Sequence, residues 1–420
     1  MKPPLPADPA AAPAHRRLMV IYLGGGLDCH QLLSPRRGAN RQAYEAARAG
    51  LALPDHPRSA LDADWQLHPQ LPALHRQWTR GRLGVVPNVG PLLRPTDARQ
   101  YRERSALLPV QLFSHSDQNE LWQAGAPLAE VEGGTGWIGR LMEALHPQFN
   151  ARALLTPMLS ASGPQRAFRA QALRQVGLGK DGAEPRFPGY RVAPGVVALA
   201  QSIMNRVPDG RAHFAHPIAD EYARAQRRAQ ETVEVINEAI RAVPLATPFP
   251  VLPELRTAAR LFKADAALGR RRSASFFVHG GYDHHRNLST LLDARLKELD
   301  AGLAAFFEAL AELRIEDEVL TLIYSEFGRC LVQNGSGTDH GWGGHALLIG
   351  GGLRGGLYGR TPDLGRKGPD LVDARGLLLP STATEQLHAE IARWMGLPEA
   401  RLPEVLPLLP RFPRLALDWA

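Results

Sequence analysis

The unbroken apolar run Leu18-Met19-Val20-Ile21-Tyr22-Leu23 stands between Arg16-Arg17 and the glycines Gly24 to Gly26, and reads as a buried β-strand ending in a tight turn. Leu71, Leu74 and Trp78 recur at helical spacing, predicting a helix over Leu67 to Gly81, and Leu83-Gly84-Val85-Val86 then reads as a second buried strand. Strand, helix, strand is the opening of a parallel α/β sheet. A second such unit follows: strand Ala274 to Val278, helix Leu288 to Leu313, strand Val319 to Tyr324. His345 to Ile349 adds a strand, and Thr384 to Met395, stopped by Gly396, a closing helix. Between the two units, residues 151–265 lose strand character. They carry a long helical pattern over Ile218 to Val243, punctuated by Pro194, Pro208, Pro244, Pro248, Pro250 and Pro253. The expected fold class is α/β, a mixed but mainly parallel sheet with helices on both faces. A flexible leader would occupy 1–16 and a single domain 17–420, with 151–265 as a mainly helical insertion or as ordinary sheet-covering helices.

Composition supports a large core: 44% of the 420 residues are hydrophobic and 22% charged. The net charge is +7, and only five of the 49 basic residues are lysines. Arginine's planar fork suits phosphate and sulfate, although a coding bias toward arginine is the simpler source of the surplus. Basic residues are scattered and aromatics do not interleave with them, which argues against nucleic acid. No apolar stretch approaches the roughly 18 residues of a membrane span, and Leu18 to Leu23 is shorter than the roughly 7–15 residues of a signal-peptide core. The chain as written therefore reads as cytoplasmic, or periplasmic if an export signal has been removed. Cys29 and Cys330 form neither a disulfide framework nor a zinc pattern, and Cys29 is expected to be a small buried residue.

The candidate chemistry lies at three strand ends, each pairing glycine with an acid: Gly24-Gly25-Gly26-Leu27-Asp28, Gly280-Gly281-Tyr282-Asp283-His284-His285 and Ser325-Glu326-Phe327-Gly328-Arg329. Ligands sit at the carboxyl ends of parallel strands, and carboxylates converging there repel each other unless a cation lies between them. With Thr338-Asp339-His340-Gly341 adding a histidine, the mixture of carboxylate and imidazole points to a divalent metal, zinc or manganese before magnesium or calcium. Asp117 and Glu120 have capping-box spacing, placing Ser114 to Ser116 at a helix's positive end, where a serine can serve as nucleophile or simply as a cap. Gly350-Gly351-Gly352 lacks the Lys-Ser/Thr of a phosphate loop, and Trp342 and Trp394 read as core or wall residues.

These stretches, LMVIYLGGGLD (Leu18 to Asp28), LHPQLPAL (Leu67 to Leu74), VVPNVGPL (Val85 to Leu92), LFSHSDQ (Leu112 to Gln118), GGYDHH (Gly280 to His285), YSEFGR (Tyr324 to Arg329) and GTDHGWGGHALLIGGG (Gly337 to Gly352), resemble the bacterial domain of unknown function 1501 proteins, relatives of the alkaline phosphatase and sulfatase superfamily. The resemblance implies an alkaline-phosphatase-like fold and a metal-dependent hydrolase of small anionic phosphate or sulfate esters. It implies Asp28, Asp283, His285, Glu326 and His340 as metal ligands and Ser114 as nucleophile; Arg329 would hold the anionic transition state. Phe327 stands where the superfamily has a histidine, so His345 would compensate or a single ion would bind. No Cys/Ser-x-Pro-x-Arg run supports a formylglycine sulfatase, and Arg16-Arg17 lacks the apolar segment of a twin-arginine signal. The alternative is a non-catalytic binding or assembly protein that keeps the fold with a degenerate metal site and acts through a protein partner. The oligomeric state is left open by either reading.

Overall fold

The computed structural model describes residues 15–180, 182, 217–365 and 368–419. Its strands are β1 (Arg16–Gly24), β2 (Leu33–Pro35), β3 (Trp65–Leu67), β4 (Leu83–Gly90), β5 (Met158–Ser160), β6 (Val176–Gly177), β7 (Arg272–Gly280), β8 (Val319–Tyr324), β9 (Arg329–Gln333), β10 (Thr338–His340), β11 (Gly344–Gly350), β12 (Gly356–Leu357) and β13 (Thr382–Ala383). Nine of them form one sheet in the order β12-β4-β11-β8-β1-β7-β5-β6, with β13 also pairing with β4. Strand β1 lies between β7 and β8, parallel to both, and β11 is the antiparallel exception between β8 and β4.

Both faces of this sheet are covered, which is why its strands read as continuous apolar runs. Along β1, Leu18, Val20 and Tyr22 enter one core while Met19, Ile21 and Leu23 enter the other, as the two-residue period of a strand requires. Helices α1 (Cys29–Leu32), α2 (Gly38–Arg48), α3 (Pro72–Thr79), α4 (Ala98–Arg102), α5 (His115–Ala124), α6 (Trp137–Phe149), α7 (Pro217–Arg241), α8 (Pro253–Ala264), α9 (Leu288–Glu312) and α10 (Thr384–Trp394) supply the outer layers. Leu74 of α3, Ile236 of α7, Leu255 of α8 and Leu292 of α9 pack with Met19 and Ile21, whereas Trp122 of α5, Leu141 of α6 and Leu387 of α10 pack with Val20.

Three expectations shift. The helix foreseen from Leu67 begins only at Pro72, whose ring favours the first helical position, and Trp65–Leu67 is instead a short strand paired with β2. Segment 151–265 is not all helical: β5 and β6 extend the main sheet beyond β7. Pro194 and Pro208 of that segment, with most of the leader, lie outside the described residues, and β1 already includes Arg16.

One buried polar contact ties two helices of the same layer together. The carboxylate of Asp300, on α9, accepts the backbone N–H groups of Ala73 (2.9 Å) and Leu74 (3.1 Å), the orphan donors at the start of α3. Asp300→Ala is expected to destabilise the protein by about 1–3 kcal/mol. An unchanged denaturant midpoint would refute this role.

Candidate metal centre

Because β1, β7 and β8 run parallel with Gly24 opposite Gly280 and Tyr22 opposite Tyr324, the loops that follow them meet at one edge of the sheet. The approach is tight enough to require glycine. Gly25 has φ +122°, and a Cβ there would lie 2.5 Å from the backbone nitrogen of Asp283; one at Gly26 (φ +69°) would overlap the Phe327 ring.

Arg329 knits these loops together. Its side chain is buried; Nε donates to the Gly26 carbonyl (2.7 Å), Nη1 to Thr338 (2.8 Å) and Nη2 to Gly25 (2.6 Å), and Nη2 also pairs with Asp283. The expected role in holding a transition state is therefore not supported, since these donors are already committed to the protein's own oxygens. Partial burial pushes the Asp283 pKa up, but the Arg329 hydrogen bond and charge outweigh it and bring it down to about 2.

Asp28 also departs from expectation. It is buried, caps α1 by accepting the Gln31 N–H, and binds Arg48 through both oxygens at 2.7 and 3.0 Å, with Thr338 Oγ1 at 3.0 Å. A guanidinium thus occupies the cation's place beside this acid. His345 is likewise apart: its Nδ1 accepts the Asn88 N–H at 3.0 Å, and burial lowers its pKa to about 4.

The acids and histidines that do converge are Asp283, His340, His285 and His115, the last unforeseen. One ligand atom each from His115, Asp283 and His340 lie within 4.8 Å of one another. His115 opens α5. Its Nδ1 is 2.7 Å from Oε1 of the fully buried Glu326, which raises the imidazole pKa, and its Nε2 lies 3.6 Å from Asp283 Oδ2. Burial would raise the Glu326 pKa, but hydrogen bonds from His115, Ser325 and the Gly25 N–H leave it below the ordinary glutamate value. Glu326 therefore orients a histidine rather than facing the centre itself.

His340 donates Nδ1–H to the Phe113 carbonyl at 2.7 Å, so the lone pair of its Nε2 points to Asp283 Oδ1 at 3.3 Å. His285 Nε2 is 3.0 Å from both His340 Nε2 and Asp283 Oδ1. The Nε2 lone pair of His340 and the Asp283 carboxylate facing each other, with the Nε2 of His115 buried and lacking a hydrogen-bond partner, suit a shared cation; His285 Nε2 also lies 3.5 Å from Arg329 Nη1. Phe327 packs its ring between His115 (4.9 Å between centroids) and His340 (4.8 Å), forming an apolar wall at the position where the resemblance implies a superfamily histidine.

Ser114, rather than Asp117, is the N-cap of α5. Its Oγ accepts the Asp117 N–H (3.3 Å), pairs with the Asp117 carboxylate and lies 3.0 Å from Ser116 Oγ. Cys29 and Cys330 are buried and unpaired, and burial raises both thiol pKa values to about 12, which keeps them protonated. A cleft of about 800 Å³ beside α2 is lined by Ala43, Leu331, Leu364 and Val372 and contains none of the converging residues. Among the described residues, no helix is long and apolar enough to cross a membrane.

The fold and site define an α/β protein with a histidine and carboxylate cluster at the carboxyl edge of a mainly parallel sheet. Residues 15–406 match the family described as "Protein of unknown function (DUF1501)", and the chain belongs to that family. No curated protein matches the sequence. Among solved structures, the chain is similar to Ps i-CgsB in complex with k-i-k-neocarrahexaose (12% identity, 92% of this chain and 74% of that one, TM-score 0.35). It is also similar to a 2-O GAG sulfatase (10% identity, 94% and 74%, TM-score 0.37) and to the lipoteichoic acid synthase LtaP from Listeria monocytogenes (7% identity, 81% and 66%, TM-score 0.31).

The Asp28–Arg48 pair is expected to be structural. Asp28→Asn leaves a buried guanidinium without its counter-charge and should cost about 3–5 kcal/mol. Burial raises the Asp28 pKa, but Arg48 outweighs it and holds it below 3.8, so the pair's contribution is fully present above that value and is lost as pH falls through the depressed folded value. Acid denaturation of the wild type and the variant tests this; equal stability near neutral pH would refute it.

Proposed function

We propose that the protein is a metal-dependent hydrolase of small phosphate or sulfate esters, working through one divalent ion, zinc or manganese. The observation that carries this reading is the convergence of His115, Asp283 and His340 ligand atoms within 4.8 Å. Two imidazoles and one carboxylate are a donor set suited to these ions, with His285 adjacent as a fourth donor. A bound ion there supplies Lewis acidity at an ester oxygen and favours the approach of the anionic group.

The chain's own residues prepare that role. Glu326 takes the Nδ1 proton of His115 in a hydrogen bond and so turns Nε2 toward Asp283, while the Phe113 carbonyl does the same for His340. Arg329 keeps Asp283 ionised, and Phe327 keeps water from the inner side of both rings. Helix α5 begins at His115, so its positive end is adjacent to the centre and favours an anion. Ser114 would act as nucleophile only after releasing Asp117.

That engagement of Ser114, with the committed donors of Arg329, favours a second reading: a metal-binding protein of the same fold that recognises a partner without turnover. Mass spectrometry of protein purified without chelator, followed by a panel of phosphate and sulfate esters, separates the two. The hydrolase reading expects about one ion per chain and ester turnover, both lost in Asp283→Asn and His340→Ala. A metal-loaded protein inert on every ester supports the second reading, and a metal-free protein defeats both. Glu326→Gln is expected to weaken metal affinity by roughly 10- to 100-fold without unfolding the chain; unaltered affinity in a zinc competition titration would remove Glu326 from this role.

A further inference from the structure

Among the described residues, five large apolar side chains are exposed, and three of them fall in one short stretch: Leu107 (50%), Val110 (70%) and Phe113 (38%). Isolated exposed apolar residues need no explanation, but three together on one surface loop mark a place where something apolar binds.

The loop is built rather than loose. Gln118, buried on α5 and about one helical turn from His115, donates its side-chain amide to the carbonyls of Val110 (3.0 Å) and Gln111 (3.1 Å). The Ser114 N–H closes a turn onto the Gln111 carbonyl at 2.9 Å, and Gln111 takes the left-handed φ of 52°. Leu112 points inward, sharing a core with Cys330, Trp342 and Val372, so its neighbours are turned outward.

The loop is also continuous with the metal centre. The Phe113 carbonyl accepts the Nδ1–H of His340, and the next two residues are the cap of α5 and His115 itself. The guanidinium of Arg375, which pairs with Asp373 at 3.0 Å, lies 5.1 Å over the Phe113 ring at the same rim. The loop thus adjoins the place where an anionic group would reach His115 and His340, on the side of Phe113.

Resting on the reading of the cluster as a centre for anionic esters, we infer that Leu107, Val110 and Phe113 form the binding platform for the organic part of the substrate, and that this part is apolar, an aryl or alkyl group rather than a polyol. The Arg375–Asp373 pair frames the platform's polar edge.

Isothermal titration of the zinc-loaded protein with phenylphosphonate and with methylphosphonate tests the inference without requiring turnover. The two probes share the anionic group and differ in the apolar part. Phenylphosphonate is expected to bind on the order of tenfold more tightly, since even small apolar differences in a pocket discriminate by 10-fold or more. In the Leu107→Ser/Val110→Ser double variant, whose side chains are exposed and not required for packing, this preference should shrink toward unity while methylphosphonate affinity and zinc content stay unchanged. Equal affinities for the two probes in the wild type overturn the platform and leave the anionic-ester reading standing. Failure of both probes to bind overturns both readings. A wild-type dimer in light scattering that becomes monomeric in the double variant assigns the surface to a second copy of this chain and also overturns the inference.

Discussion

The centre depends on one buried guanidinium. The loops that leave β1 and β7, with Thr338 on β10, turn backbone carbonyls inward, and such groups are costly to bury without donors. Arg329 answers several of them at once: Gly25 and Gly26 after β1, Thr338 on β10, and the Asp283 carboxylate after β7. Its planar array of N–H groups suits this task, which a lysine ammonium could not perform in the same geometry. The glycines at 25 and 26 follow from the same demand, because the loops approach too closely for a side chain at either position.

That clamp divides the acids into two kinds. Asp28 and Glu326 are buried and fully occupied, one by Arg48 and the cap of α1, the other by His115, Ser325 and the Gly25 N–H. Asp283 keeps a half-exposed carboxylate on the rim, where Arg329 maintains its charge. A buried carboxylate with an intimate cationic or imidazole partner positions other groups; a half-exposed one beside histidine lone pairs can hold an ion. The protein thus carries three acids at three equivalent strand ends with only one facing outward.

The histidines follow the same logic of indirect control. His115 and His340 are each held by Nδ1, against a carboxylate and a backbone carbonyl, which leaves Nε2 for the cluster. Phe327 lies against both rings, so that its position is filled by apolar packing. The exposed loop from Leu107 to Phe113 enters this network through its own carbonyl, linking what covers the site to what holds it.

Much of the architecture was legible in residue order alone. Runs such as Leu18 to Leu23 and Val319 to Tyr324 specify strands covered on both faces, and the spacing along Leu288 to Leu313 specifies the helix between β7 and β8, because burial and period are local properties. The placing of Asp283 and His285 at the sheet's carboxyl edge was also legible, since parallel strands present their ends on one edge, whereas His340 reaches them from β10, outside that sheet. The short strands β5 and β6 were not: each is only two or three residues long and shows no period to detect. Nor could residue order reveal that Arg48 would reach Asp28, that Arg329 would spend its donors on glycine carbonyls, or that His115 rather than Ser114 would turn toward the cluster. Those are choices of partner among side chains distant in sequence. The sequence by itself determined which elements form and which residue types meet at the sheet's edge; only the tertiary structure decided which acid is neutralised, which histidine is oriented and which remains open, because hydrogen-bond partners are settled by packing in three dimensions.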